Sequence, residues 1–362
     1  MKRLVVCCDG TWNRPDQPSP TNVWKLAQAL ADHDDAGNRQ LCRYHKGVGT
    51  GRLEHIRGGA FGFGLSRNVR DCYRFLVTEY EPGDALYFFG FSRGAFTARS
   101  TIGLVRNAGI LRPEHVGRVD EAYALYRKRG TPHSPNGVKA QAFQRAYSHT
   151  SIEVHFAGVW DTVGSLGIPG LRGPLANWWW GFHDTELSSR VQNAFQALAI
   201  DEQRSLFPPT IWQQQDHAKE QVLRQVWFAG VHCDVGGGYP DPSLAELALL
   251  WLTQQAQACG LAFKPAHFAL TTDPDPAKRR TGAHVAPNAL ADIGVSRKSA
   301  YRLLPRLHRD LTDTDTDTDT DGDAHLRVAS SADRRRLERS DYGPQNLERY
   351  MQRDGRIEAL DV

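Results

Sequence analysis

The chain has 362 residues, 40% of them hydrophobic, with 44 Lys and Arg against 41 Asp and Glu. A net charge of +3 at pH 7 gives the whole chain no electrostatic grip on nucleic acid or on an anionic membrane. The length fits one large domain with insertions, or two small ones, and allows a sizeable core.

The first residues, MKRLVVCCDG, carry two basic residues and a short apolar run that Asp9 interrupts. That run is too short for a signal peptide, and no stretch approaches the ~20 apolar residues of a membrane span. It reads instead as a strand, Leu4 to Cys8. The cysteines, Cys7, Cys8, Cys42, Cys72, Cys233 and Cys259, lack the paired spacing of a disulfide framework or a zinc site. A reducing cytoplasmic site of synthesis is therefore expected, with no metal and no cofactor.

A helix is predicted from about Val23 to Asp32, capped at Thr21-Asn22, and a short strand over Leu41 to Tyr44. A glycine-rich loop, Gly47 to Gly64, precedes a helix from Ser66 to Tyr80. Pro82-Gly83 turns the chain into the strand Ala85 to Phe89, and Ser92 opens the next helix. Further on come a strand over Val154 to Val159, a helix over Leu187 to Ile200, a strand over Val222 to Gly230, and a helix over Leu244 to Ala258. Strands such as LVVCC and LYFF are continuous apolar runs rather than alternating ones. Alternating with helices, they predict an α/β fold: a doubly wound, mostly parallel sheet covered on both faces. Insertions follow Arg106 and span Ser165 to Glu186. The catalytic domain is expected over 1–262, with a carboxy-terminal extension over 263–362 and a disordered Thr-Asp repeat near 312–323.

Gly90-Phe91-Ser92-Arg93-Gly94 matches G-x-S-x-G between a strand and a helix, the context of a nucleophile elbow. Gly90 and Gly94 stand where a Cβ would press on neighbouring backbone. The Arg93 amide, at a helix N-terminus, is a candidate oxyanion donor. Asp161 and His232 follow later strands, in the order nucleophile, acid, base, and all three residues sit at the carboxyl ends of strands. His232 would take the proton of Ser92 while Asp161 holds the imidazole, with Asp201 and Asp234 as alternative acids. The amides of Gly10 and Thr11, in the turn CDGTW, are candidates for the second oxyanion donor; Asp9 capping that turn is the structural alternative.

Taken together, CCDGTWN, GFSRGAFTAR, GVWDTVGSLG, LAIDEQR and GVHCDVGGGYP resemble the motifs of a bacterial and fungal family first catalogued as an uncharacterised α/β-hydrolase-like domain. That family includes phospholipase effectors of type VI secretion. The resemblance spans roughly residues 1–260. It implies a serine hydrolase of the lipase or phospholipase kind with Ser92 as nucleophile and His232 as base. It also admits secretion by a signal-independent route and an immunity or secretion partner. The expected substrate is a carboxylic ester, phospholipid or other acyl lipid, met through transient membrane-surface contact and without nucleic acid. A small soluble ester or thioester, or a non-catalytic binding module built on the elbow scaffold, are the alternatives.

Other signals are discounted. GGAFGFG, Gly58 to Gly64, lacks the G-K-[ST] of a phosphate loop and reads as a flexible loop. Asp317 to Gly322 opens like a calcium loop, but Val328 stands where a bidentate Glu is needed. Arg334 to Arg339, RRRLER, reads as a solvated helix face. Trp178, Trp179, Trp180 and Phe182 point to several sides of any regular element, and are expected to form a substrate lid that meets lipid.

Overall fold

The computed structural model describes residues 1–47, 58–128, 130–164, 186–312, 325–353 and 355–360. Eight strands form one sheet: β1 (Arg3–Cys8), β2 (Gln40–His45), β3 (Ala85–Phe91), β4 (Val154–Trp160), β5 (Val191–Ala199), β6 (Val222–Phe228), β7 (Leu326–Ala329) and β8 (Ile357–Glu358). Their order across the sheet is β8-β7-β6-β5-β4-β3-β1-β2, and every neighbouring pair runs parallel.

Both faces of the central sheet are covered, which is why β1 and β3 read as nearly continuous apolar runs. Leu4, Val6 and Cys8 point into one core, beneath α2 (Gly58–Glu79), α3 (Arg93–Ala108) and α4 (Val119–Arg127). Val5 and Cys7 point into the other, which α1 (Asn22–Ala29) and, beyond α5 (Val138–Tyr147) and the short α6 (His232–Gly236), α7 (Ser243–Ala258) close. α7 is apolar almost all round, with Leu247, Leu249, Trp251 and Leu252 buried. This is a doubly wound α/β fold. The order reverses at β1, so the carboxyl ends of β1 and β3 flank the crevice in which such sheets bind ligands.

Several expectations change. Leu187 to Ile200 is no helix: Val191–Ala199 is strand β5, inside the sheet between β4 and β6. Its alanines, leucine and glutamines suit a helix locally, but from Ala194 onward every residue is buried, and burial on both faces of a central strand overrides that propensity. Gly58 to Gly64 is the opening of α2 rather than a loop. The carboxy-terminal extension joins the sheet, since β7 pairs with β6 and β8 with β7. After α8 (Pro276–Thr281), α9 (Ser330–Glu338) and α10 (Gln345–Arg353) pack there, and Ala332, Leu347 and Tyr350 enter the core. Within RRRLER, Arg335 is buried and donates to the carbonyls of Ala289 and Ala291, so that stretch is not wholly a solvated face. The Thr-Asp repeat from residue 313, with its calcium-like opening, lies outside the described residues.

Candidate active site

β3 ends at Phe91 and α3 begins at Arg93, so Ser92 alone makes the turn between them. It does so at φ 57° and ψ −125°, a left-handed backbone that costs a non-glycine residue ~1–3 kcal/mol and persists where its surroundings enforce it. The enforcement is visible. A Cβ on Gly90 would lie 2.5 Å from Ala95 Cα, and one on Gly94 2.2 Å from the Cys8 carbonyl oxygen and 2.5 Å from that of Asp9. No side chain fits at either place, so the turn closes tightly against β1. The Ser92 amide donates to the carbonyl of Trp160 at 3.0 Å, tying the elbow to the end of β4.

The next residue on β4's side is Asp161, fully buried and itself at φ 37°. Its Oδ2 lies 2.5 Å from His232 Nδ1. The Oδ1 accepts the Ala199 amide at 3.0 Å. His232 opens α6 just past β6, and its ring lies against Phe91, the residue before Ser92, with ring centroids 4.6 Å apart. Phe207 meets the same imidazole edge-on at 5.1 Å. Ser92, Asp161 and His232 thus gather at the carboxyl edge of the sheet, all buried.

The alternative acids face elsewhere. Asp201 Oδ2 accepts the Gly230 amide at 2.6 Å and the Tyr342 hydroxyl at 3.0 Å. Asp234 Oδ2 accepts the amides of Val231 at 3.0 Å and Gly294 at 2.9 Å. Both carboxylates brace the backbone around His232, while Asp161 meets its ring.

Two residues beyond the motif reading complete the surroundings. Arg309, buried, donates from Nη1 to Asp161 Oδ1 at 2.6 Å and from Nη2 to Oδ2 at 3.1 Å, and also to the carbonyls of Ala199 and Phe207. Glu202 Oε2 accepts the His232 amide at 3.3 Å, and its carboxylate pairs with Arg204. Glu202 lies in LAIDEQR, a stretch already singled out; Arg309 belongs to no local pattern.

Electrostatics follow from these contacts. Burial pushes the Asp161 carboxyl up, but Arg309 and His232 hold it well below the usual carboxylate range, so it stays ionised. Burial pushes the His232 imidazole below its ordinary value, outweighing the pull of Asp161, so it is neutral near pH 7. Its Nδ1–H then faces Asp161 and the other ring nitrogen is left to accept a proton.

In the turn after β1, Gly10 is not available as an oxyanion donor: its amide bonds to Asp9 Oδ1 at 2.7 Å, the capping alternative. The other carboxylate oxygen takes the hydroxyls of Thr21 and Tyr44. Burial still raises Asp9 to about 6. A Cβ on Gly10 would lie 3.2 Å from Ser92 Cβ, which places this turn against the serine. Thr11 remains a candidate, and its Oγ1 is buried with no hydrogen-bond partner among the described residues. Arg93 lies at the first position of α3. Trp178, Trp179, Trp180 and Phe182 lie outside the described residues.

The described residues contain no helix long and apolar enough to cross a membrane. Residues 2–255 match the family model of the type VI secretion (T6SS) phospholipase effector Tle1-like catalytic domain. An uncharacterised protein of Saccharomyces cerevisiae, YEL023C, is 30% identical over 227 residues, or 57% of this chain; the chain spans only 32% of that relative's length. Among solved structures, an uncharacterised protein from Pseudomonas aeruginosa aligns over 73% of this chain and 46% of its own, at 17% identity and a TM-score of 0.46. A Tle1 effector bound to the VgrG spike aligns over 66% of this chain and 51% of its own, at 20% identity and a TM-score of 0.36. With its family model matched over most of its length, the chain belongs to the Tle1-like catalytic-domain family of type VI secretion phospholipase effectors, a family of hydrolases.

Proposed function

We propose that this protein hydrolyses carboxylic esters, phospholipid or other acyl lipid, through an acyl intermediate on Ser92. The observation that carries the proposal is the 2.5 Å contact of His232 Nδ1 with buried Asp161, beside an elbow serine. Neutral His232 takes the proton of Ser92 Oγ as the oxygen attacks the ester carbonyl, and Asp161 stabilises the imidazolium that forms. The Arg93 amide and Thr11 receive the negative charge on the carbonyl oxygen. As the tetrahedral adduct collapses, His232 returns the proton to the leaving alcohol, leaving the acyl ester on Ser92. Water, deprotonated by His232, then attacks that ester, and Ser92 regains its proton as the fatty acid departs.

Residues 1–262 form the catalytic part in this proposal, and residues 263–362 an extension that supplies Arg309. Family membership supports an acyl-lipid substrate and a secretion-related role. The test is release of free fatty acid from phospholipid vesicles: the unsubstituted chain liberates it and Ser92→Ala does not. Equal release by both would reject the mechanism.

A further inference from the structure

Residues 293–308, IGVSRKSAYRLLPRLH, contain Arg297, Lys298, Arg302 and Arg306 and no acidic residue. Both ends of this segment are pinned at the catalytic edge. At one end the Gly294 amide donates to Asp234 at 2.9 Å and the Ser296 hydroxyl to Glu202 at 3.1 Å. At the other the Leu307 amide donates to the Gln203 carbonyl at 2.9 Å, and Arg309 follows, on Asp161. Between the pins the Arg297 guanidinium donates to the carbonyls of Arg302 and Leu304, holding the strap in a closed bulge.

The strap has two sides. Tyr301 faces inward, its ring 6.1 Å from that of Phe207, which packs on His232. Outward lie Leu303, 88% exposed, and Val295, 56% exposed, among the exposed cations Lys298, Arg302 and Arg306. Half-exposed Trp12 lies on the same edge of the sheet, in the turn after β1. Leucine exposed to this degree among cations is unfavourable in water, and suits a surface that is apolar beneath an anionic skin.

We infer that the strap 293–308 is the surface by which this protein docks on anionic lipid, setting the catalytic edge against the membrane. The inference rests on the acyl-lipid reading above. Lys298, Arg302 and Arg306 attract the acidic headgroups, and Leu303 enters the acyl boundary. A short inward path then leads from Leu303, through Tyr301 and Phe207, to His232. Local charge supplies what the net charge of +3 does not, because screening confines the attraction to cations close to the lipid.

The experiment measures partition of the full chain, carrying Ser92→Ala to prevent hydrolysis, onto vesicles of phosphatidylcholine with and without phosphatidylglycerol. Binding should require phosphatidylglycerol and weaken with added salt. Lys298→Glu/Arg302→Glu/Arg306→Glu should weaken it by about 100-fold or more, at about fivefold for each cation lost. Leu303→Ser alone should weaken it about tenfold. With Ser92 intact, both variants should hydrolyse a soluble nitrophenyl ester at the unsubstituted rate, which also shows that they fold. Variants active on that ester and undiminished in binding would overturn the inference, as would equal binding of the parent chain to both vesicle types. Failure of the parent chain, with Ser92 intact, to cleave the ester would instead reject the ester-hydrolase reading, whatever the vesicles show.

Discussion

Arg309 holds both oxygens of Asp161, at 2.6 and 3.1 Å, from a position 148 residues further along the chain. The pair is fully buried, so neither charge is screened by water. The guanidinium therefore fixes the carboxylate's orientation, keeps it ionised and tempers its pull on His232.

Removing that cation tests the arrangement. Arg309→Gln leaves Asp161 charged and partly unpaired in the interior, which should cost about 3–5 kcal/mol of stability. It also lets Asp161 act on His232 undiminished. Because the base must be neutral, ester hydrolysis falls as pH drops through the His232 pKa. In the unsubstituted chain burial lowers that pKa, so the acid limb of kcat/KM should have its midpoint below the ordinary ~6.5. In Arg309→Gln the midpoint should move upward. Thermal melts and a pH–rate profile check both, and an unmoved limb would reduce Arg309 to a purely structural role.

Asp161 and Asp201 should separate cleanly. Asp161→Asn offers Nδ1 the wrong partner and should lower turnover by roughly 10⁴. Asp201→Asn should leave turnover nearly unchanged. Burial raises Asp201 to about 6, so its contribution to stability is fully present below the unfolded carboxylate value and is lost as pH rises through about 6. Asparagine never ionises, and its carbonyl can accept from Gly230 and Tyr342. Asp201→Asn should thus gain about 1–2 kcal/mol of stability relative to the parent between pH 5 and pH 8, as read by denaturant titration at each pH.

How much of this was legible beforehand depended on what each residue contacts. Strands β1, β3, β4 and β6 end within or just before the stretches the motifs highlight, because a strand buried on both faces writes itself largely as an apolar run. β5 did not, since Gln196 sits wholly buried within it, with its amide on the Thr210 carbonyl, and breaks the run. The elbow glycines were readable because steric exclusion acts on neighbours in sequence. Arg309 was not, because only the folded sheet brings it to Asp161. Both readings of the Gly10 amide, oxyanion donor and Asp9-capped turn, stand in the sequence, and the choice between them depends on a side-chain orientation that composition does not encode.

Gly94 tests the elbow itself. Gly94→Ala would place a Cβ within 2.2 Å of the Cys8 carbonyl oxygen, and both partners are backbone. Relief requires α3 to move off β1, so stability should fall by about 3 kcal/mol and esterase activity with it. A folded, fully active Gly94→Ala protein would mean the turn is looser than its geometry.

Thr11 tests the oxyanion side. Its buried Oγ1 has no partner among the described residues. Thr11→Val keeps the shape and the backbone amide and removes only the hydroxyl, so a hydroxyl donor predicts a drop in turnover of about 10²–10³-fold with little change in melting temperature. An unaffected rate would leave the second donor to the Thr11 amide, which valine retains.

The most direct measurement is covalent capture of the nucleophile. The full chain is incubated with a fluorophosphonate probe at pH 7.5, and the adduct is located by peptide mass spectrometry. An activated serine displaces fluoride rapidly whereas an ordinary one does not. One phosphonyl adduct on Ser92 is predicted, absent in Ser92→Ala and much slower to form in Asp161→Asn. No adduct, or an adduct on another serine with Ser92 unmodified, would contradict the account.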